Sequence, residues 1–201
     1  MSSIQNTELS RKIRFVISRY KQNFSKVREE EDFKWEAIGW YQQHWNIDAP
    51  DFASMLKTAF QESSVLLASG MYYPLKMIHL FSDMAPDRMR KLFRMLYDEK
   101  ISLASRYKQF RDGCSDLLAN AGWEKAKQHY QDFRAILVYL TFEYPEKYYF
   151  YKYSMFTKFA QRVGFVDDTP GSKTQIGRVE SYTGFAKSLR RRCAGTRSCA
   201  A

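Results

Sequence analysis

The chain has 201 residues, 45% hydrophobic and 16% aromatic, with a formal net charge of +10. That composition can fill a core, which excludes global disorder, and the sequence holds no apolar run of about 18 residues that could cross a membrane. The opening "MSSIQNTELSRK" lacks the apolar stretch of a secretory signal, so a cytoplasmic protein is expected.

The basic excess lies at the two ends. Leu9 to Arg28 holds seven basic residues (Arg11, Lys12, Arg14, Arg19, Lys21, Lys26, Arg28) and no acidic one. From Lys173 onward there are again seven, against Glu180 alone. Such a balance favours polyanionic partners and says nothing about fold.

In chain order, most segments read as helix. Leu9, Ile13, Val16, Ile17, Tyr20, Phe24 and Val27 recur at three- and four-residue steps, with the basic residues on the remaining face. The acidic run "EEED" is expected to open a second helix, where it suits the N-terminal dipole; its stripe is Phe33, Ala37, Trp40, Tyr41, His44 and Trp45. "NIDAPDFASMLKTAF" marks a third start, with Asp48 as candidate N-cap and Pro50 in the first turn.

"ASGMYYP" reads as a turn, "YPLKMIHLFSDM" as a short helix and "APDRMRKLFRMLYDE" as another, with Met89, Leu92, Phe93 and Leu96 inward. Helix continues through "ISLASRYKQFRDGCSDLLANAGW". A further pattern follows at Ala126, Tyr130, Phe133, Leu137 and Leu140, ended by Pro145. "KYYFYKY" has strand-like composition, so a short β element is expected near 147–152. "SMFTKFAQRVGF" is helix again, capped by Ser154 and stopped by Gly164.

The expected architecture is thus a mainly α, single globular domain over 1–165. Residues 166–201 follow as a linker and a basic, disordered tail, in which "RVESYTGFAKSL" could add one helix.

No motif reads as catalytic. "TPGSKTQIG" fails as a phosphate loop, because Ser172 separates Gly171 from Lys173 and position 166 is Val166. His44, His79 and His129 stand alone, and Cys114, Cys193 and Cys199 fit no zinc spacing, so no metal or cofactor is expected. An enzyme would need the fold to bring groups such as His129, Asp132 and Glu143 into one cleft.

"YPEKYYFYKY", Tyr144 to Tyr153, could stack bases or build a core. Its position between two helices favours the core, in which Tyr148, Phe150 and Met155 could face inward while Tyr149, Tyr151 and Tyr153 pack against neighbours.

Several stretches together resemble the N-terminal region of McrB-like proteins, the AAA+ GTPase subunits of modification-dependent restriction systems. They are "FKWEAIGWYQQHWNIDAPDFASMLKTAF", "LLASGMYYPLKMIHLF", "LFRMLYDE" and "FRAILVYLTFEYPEKYYFYKYSMFTKFA", covering about residues 25–165. The resemblance implies a DNA-recognising domain, for modified or plain DNA, that works with an AAA+ motor and a nuclease subunit. The motor's Walker motifs are absent from this sequence, so no GTPase residue carries over.

Two functions of different class are therefore expected to compete. In the first, a non-catalytic domain grips DNA phosphates through Arg11, Lys12, Arg14, Arg19 and Lys21, with bases met by Tyr72, Tyr73, Tyr149, Tyr151 and Tyr153. In the second, the domain docks on a protein partner or oligomerises, with no nucleic-acid role.

Overall fold

The three- and four-residue spacing does become helix. A computed structural model describes residues 3–123, 127–165 and 175–194. Among these the chain forms α1 (Ser3–Gln22), α2 (Phe24–His44), α3 (Phe52–Ala59) and, after a 3-10 turn at Gln61–Ser63, α4 (Ser64–Leu67). There follow α5 (Pro74–Met84), α6 (Pro86–Tyr97), α7 (Leu103–Asn120), α8 (Phe133–Glu143), α9 (Tyr153–Val163) and α10 (Gln175–Ala194). The protein is mainly α, as its periodicity implies. The β element expected near 147–152 does not form. An isolated bridge between Ser69 and Tyr72 is the nearest thing to a sheet among the described residues, so Tyr148 to Lys152 has no strand with which to pair.

The chain divides into two compact units. One comprises residues 33–150; the other joins 1–32 to 151–201. This differs from a domain that stops at 165. Gln175–Ala194 is helical and contains the "RVESYTGFAKSL" stretch that could add a helix to the expected linker and tail; Phe185 within it is buried beside Ile13 and Val163. Residues 166–174 and 195–201, the rest of the expected linker and tail, lie outside the described residues.

In the 33–150 unit, α8 is the central helix. Nine of its eleven residues are buried, as expected of a helix apolar on every side. Aromatic side chains supply most of the surrounding core: Tyr41, Phe52, Phe60, Phe81, Phe93, Phe110, Tyr139 and Phe142 are fully buried. Their rings meet edge-on or tilted, as Phe93 does with Phe110 (5.3 Å) and Tyr139 (5.5 Å), the geometry that the ring quadrupoles prefer.

Polar ties fix the elements around that core. Asp51, not Asp48, caps α3 by accepting the Ser54 N–H at 2.9 Å; Asp48 instead pairs with Arg94. Arg90 donates to the carbonyls of Ile47 (2.6 Å) and Ala49 (2.8 Å) and so pins the loop that precedes α3. Buried Arg106 donates to the Leu96 carbonyl at 2.9 Å and to the Tyr148 hydroxyl at 2.6 Å. Leu96 lies in the last turn of α6, where unpaired carbonyls and the helix dipole favour a cation.

Three boundaries depart from the sequence pattern, each for a local reason. "EEED" sits inside α2, because the break falls at Asn23, whose side-chain amide donates to the Arg19 carbonyl at 2.7 Å and competes with the helix ladder. The pattern through Tyr130 begins as helix only at Phe133: Tyr130 has φ of 59°, and Asp132 is the N-cap, accepting the Ala135 N–H at 3.0 Å. Ala126 lies outside the described residues. α9 begins at Tyr153, with Lys152 rather than Ser154 at the cap position. Gly164 does stop α9, in the left-handed conformation at φ 74°, which a glycine adopts without steric cost.

Candidate nucleic-acid interface

The unit built from 1–32 and 151–201 has a small core. Ile13, Val163 and Phe185 are buried there, with Leu9, Val16, Ile17, Phe156, Phe159, Phe165 and Leu189 packed against them. Leu9, Ile13, Val16 and Ile17 of the expected stripe pack there against apolar residues of α9 and α10, whereas Tyr20 and Phe24 of that stripe are exposed and Phe24 and Val27 belong to α2.

Beside that core, α1 and α9 enclose a groove of about 840 Å3 lined by Arg11, Lys12, Phe15, Val16, Arg19, Phe159, Arg162 and Val163. The α1 lining falls within an arc of about 140°, at about 100° per residue. Arg14 and Lys21 fall outside that arc and do not line the groove. The groove therefore takes Arg11, Lys12 and Arg19 from the sequence-expected basic set and adds Arg162.

Four cationic side chains thus surround an apolar floor, with no acidic residue in the lining among the described residues. Lys12 bonds Glu8 at 3.0 Å, and this hydrogen bond, with the lysine's charge, holds the Glu8 carboxyl below its ordinary range. Among the described residues, the guanidinium groups of Arg11, Arg19 and Arg162 form no ion pair. Phe15 is 66% exposed. Its ring therefore adds little to the core of this unit.

The tyrosines expected to meet bases are not gathered there. Tyr72, Tyr73 and Tyr149 belong to the 33–150 unit, whereas Tyr151 and Tyr153 belong to the unit that holds the groove. Tyr72 donates to Asp132 at 2.7 Å and lies under the Arg134 guanidinium; burial and that carboxylate push its phenol well above the ordinary range. Tyr73 is exposed at one edge and meets Tyr130 edge-on. Tyr149 has its hydroxyl buried. Tyr151 packs on Phe156 and Tyr182. Tyr153 is half exposed at the start of α9 but does not line the groove.

The tyrosine-rich stretch is thus chiefly structural, as its place between helices implied. Tyr148 is buried, donates to Glu99 at 3.2 Å and accepts from Arg106. Tyr144 donates to the Tyr97 carbonyl at 2.8 Å, and Phe150 packs against Phe142.

His129, Asp132 and Glu143 do not form one cleft. Asp132 and Glu143 bracket α8, about 16 Å apart at the usual helical rise. Glu143 accepts from the Tyr41 hydroxyl at 3.0 Å, whereas His129 accepts the Gln131 N–H at 3.0 Å and meets Ser115 at 3.1 Å. No cluster of three metal-ligating side chains occurs among the described residues, and no helix there is long and apolar enough to cross a membrane.

Sequence reasoning missed Phe15, Phe159 and Arg162. Phe15 carried a readable signal: it is an aromatic off the Leu9–Ile13–Val16 stripe. Arg162 could be found only by pairing α9 with α1, which periodicity within one helix does not encode. The chain matches no family model, no curated protein and no solved structure.

Proposed function

We propose that this chain is a non-catalytic recognition module that contacts DNA through the groove between α1 and α9. The observation that carries this reading is the convergence of Arg11, Lys12, Arg19 and Arg162 on one concave surface that has no acidic lining residue among the described residues. Phosphates are the anions that such a surface suits, and released counterions would make the affinity fall steeply with salt. The residue resemblance to McrB-like proteins supports placing the module in a cytoplasmic restriction system. An AAA+ motor and a nuclease subunit would be its partners there, and the modification state of the DNA a property that it could read.

The exposure of Phe15 also favours a second reading, in which the groove docks an acidic amphipathic partner segment. Fluorescence anisotropy on labelled duplexes and single strands, modified and plain, separates the two. The DNA reading expects measurable binding at low salt that Arg11→Ala/Arg19→Ala/Arg162→Ala weakens at least tenfold, while Arg14→Ala changes it less than threefold. Absence of binding to every nucleic acid at low salt would transfer the assignment to protein docking.

A further inference from the structure

We infer that the groove takes an unpaired DNA strand in preference to a duplex, with a base stacked on the ring of Phe15 and the flanking phosphates on Arg11 and Arg19. This rests on the DNA reading above and adds the form of DNA that is bound.

Three features of the groove carry it. Arg11, Phe15 and Arg19 are spaced by four residues along α1, so they form one row with the ring between two cations. Phe15 is 66% exposed, so its face is open for stacking. The floor, from Val16, Phe159 and Val163, is apolar and recessed between two helices.

A duplex keeps its base faces inside its own stack. It can offer the rim its phosphates, but a base face meets the ring only if that base first leaves the stack. An unpaired strand presents both: phosphates that alternate with bases, and bases whose π-faces stack on aromatic side chains whatever their sequence. At about 840 Å3 the groove falls in the range of about 300–1,000 Å3 that encloses drug-sized ligands, which suits bases and not a duplex.

The test compares wild type, Phe15→Ala and Phe15→Trp in the full chain. The ligands are an oligo-dT strand, a duplex of equal length and an acidic amphipathic helical peptide, and circular dichroism verifies the fold of each variant. Phe15 is exposed, so its truncation leaves the core intact. The expected result is tighter binding of oligo-dT than of duplex. Phe15→Ala should then weaken the single strand about 5- to 160-fold, the range set by loss of one base–aromatic stack, and leave the duplex within about twofold. Phe15→Trp should retain binding, with its indole fluorescence quenched by the strand.

Equal binding of strand and duplex, or no effect of Phe15→Ala on the strand, would overturn this inference and leave the phosphate-gripping reading standing. No nucleic-acid binding by wild type would overturn both. So would tighter binding of the acidic peptide, lost in Phe15→Ala, which would identify a protein-docking groove.

Discussion

The two units use aromatic residues in opposite ways. In the 33–150 unit most rings are buried and most of their polar groups are tied, although Trp35 and Tyr73 are exposed and the buried Tyr149 hydroxyl has no hydrogen-bond partner among the described residues. Tyr139 donates to Gln131 at 2.7 Å, and the Gln131 amide donates to the carbonyls of Pro74 (2.9 Å) and His129 (3.0 Å). In the other unit the buried core is small, while Phe15, Tyr20, Tyr153 and Met155 are exposed and the cations line a groove. One unit commits its side chains to holding a fold; the other keeps charged and aromatic groups available at its surface. Substitutions should therefore cost stability in the first and binding in the second.

The largest loss of stability is expected at Arg106. It is 3% exposed and held by the end of α6 and by Tyr148. Arg106→Ala should cost about 3 kcal/mol, since it leaves a cavity and strips partners from buried carbonyl and hydroxyl groups. Urea denaturation followed by circular dichroism measures this, and a loss below about 1 kcal/mol would show that the bonds made by Arg106 are not structural. Tyr139→Phe should cost less, about 1–2 kcal/mol, by leaving the Gln131 carbonyl oxygen unpaired in the core.

A smaller, pH-dependent effect is expected at His129. Its Nδ1 accepts the Gln131 N–H, so a proton placed there breaks that bond. Burial chiefly, and Arg111, lower its pKa below 6.5; burial does the same at His79. The unfolded chain therefore binds more protons as the pH falls through about 6.5, and the stability from the neutral histidines, full above that pH, is lost below it. The melting temperature should fall between about pH 7.5 and about pH 5.5, and His129→Gln should flatten part of that fall.

Gly164→Ala should cost about 1 kcal/mol. The penalty is backbone strain at φ 74°, because a Cβ there would meet only the Lys12 ammonium nitrogen at an ordinary 3.7 Å. The smallest stability effect is expected at the groove, where Phe15→Ala should change the unfolding free energy by less than about 0.5 kcal/mol, as surface substitutions do.

What the sequence made legible was local. The Leu9 to Ile17 part of the α1 stripe, the inward Met89, Phe93 and Leu96 of α6, the stop at Gly164 and the core role of Tyr148 follow from periodicity, capping chemistry and flanking helices. Asn23 was not legible as a break, because its effect depends on a side-chain bond that competes with continued helix. Nor was the late start of α8, where the Gln131 and Asp132 bonds to Pro74 and Tyr72 reach residues about sixty positions away. The basic set on α1 was legible as charge. The subset that forms a groove was not, since that depends on α9 packing beside α1.

The central claim is that the cations of α1 and α9 act together on phosphates. Its most direct test is the salt dependence of DNA binding by wild type and by Arg11→Ala/Arg19→Ala/Arg162→Ala. Each phosphate deprived of its arginine should reduce the slope of log K against log salt by about 0.7 on single strands and about 0.9 on duplex. A slope shallower by about two to three units in the triple variant is the predicted result. Equal slopes for the two proteins would contradict the account, since the groove would then neutralise none of the phosphates.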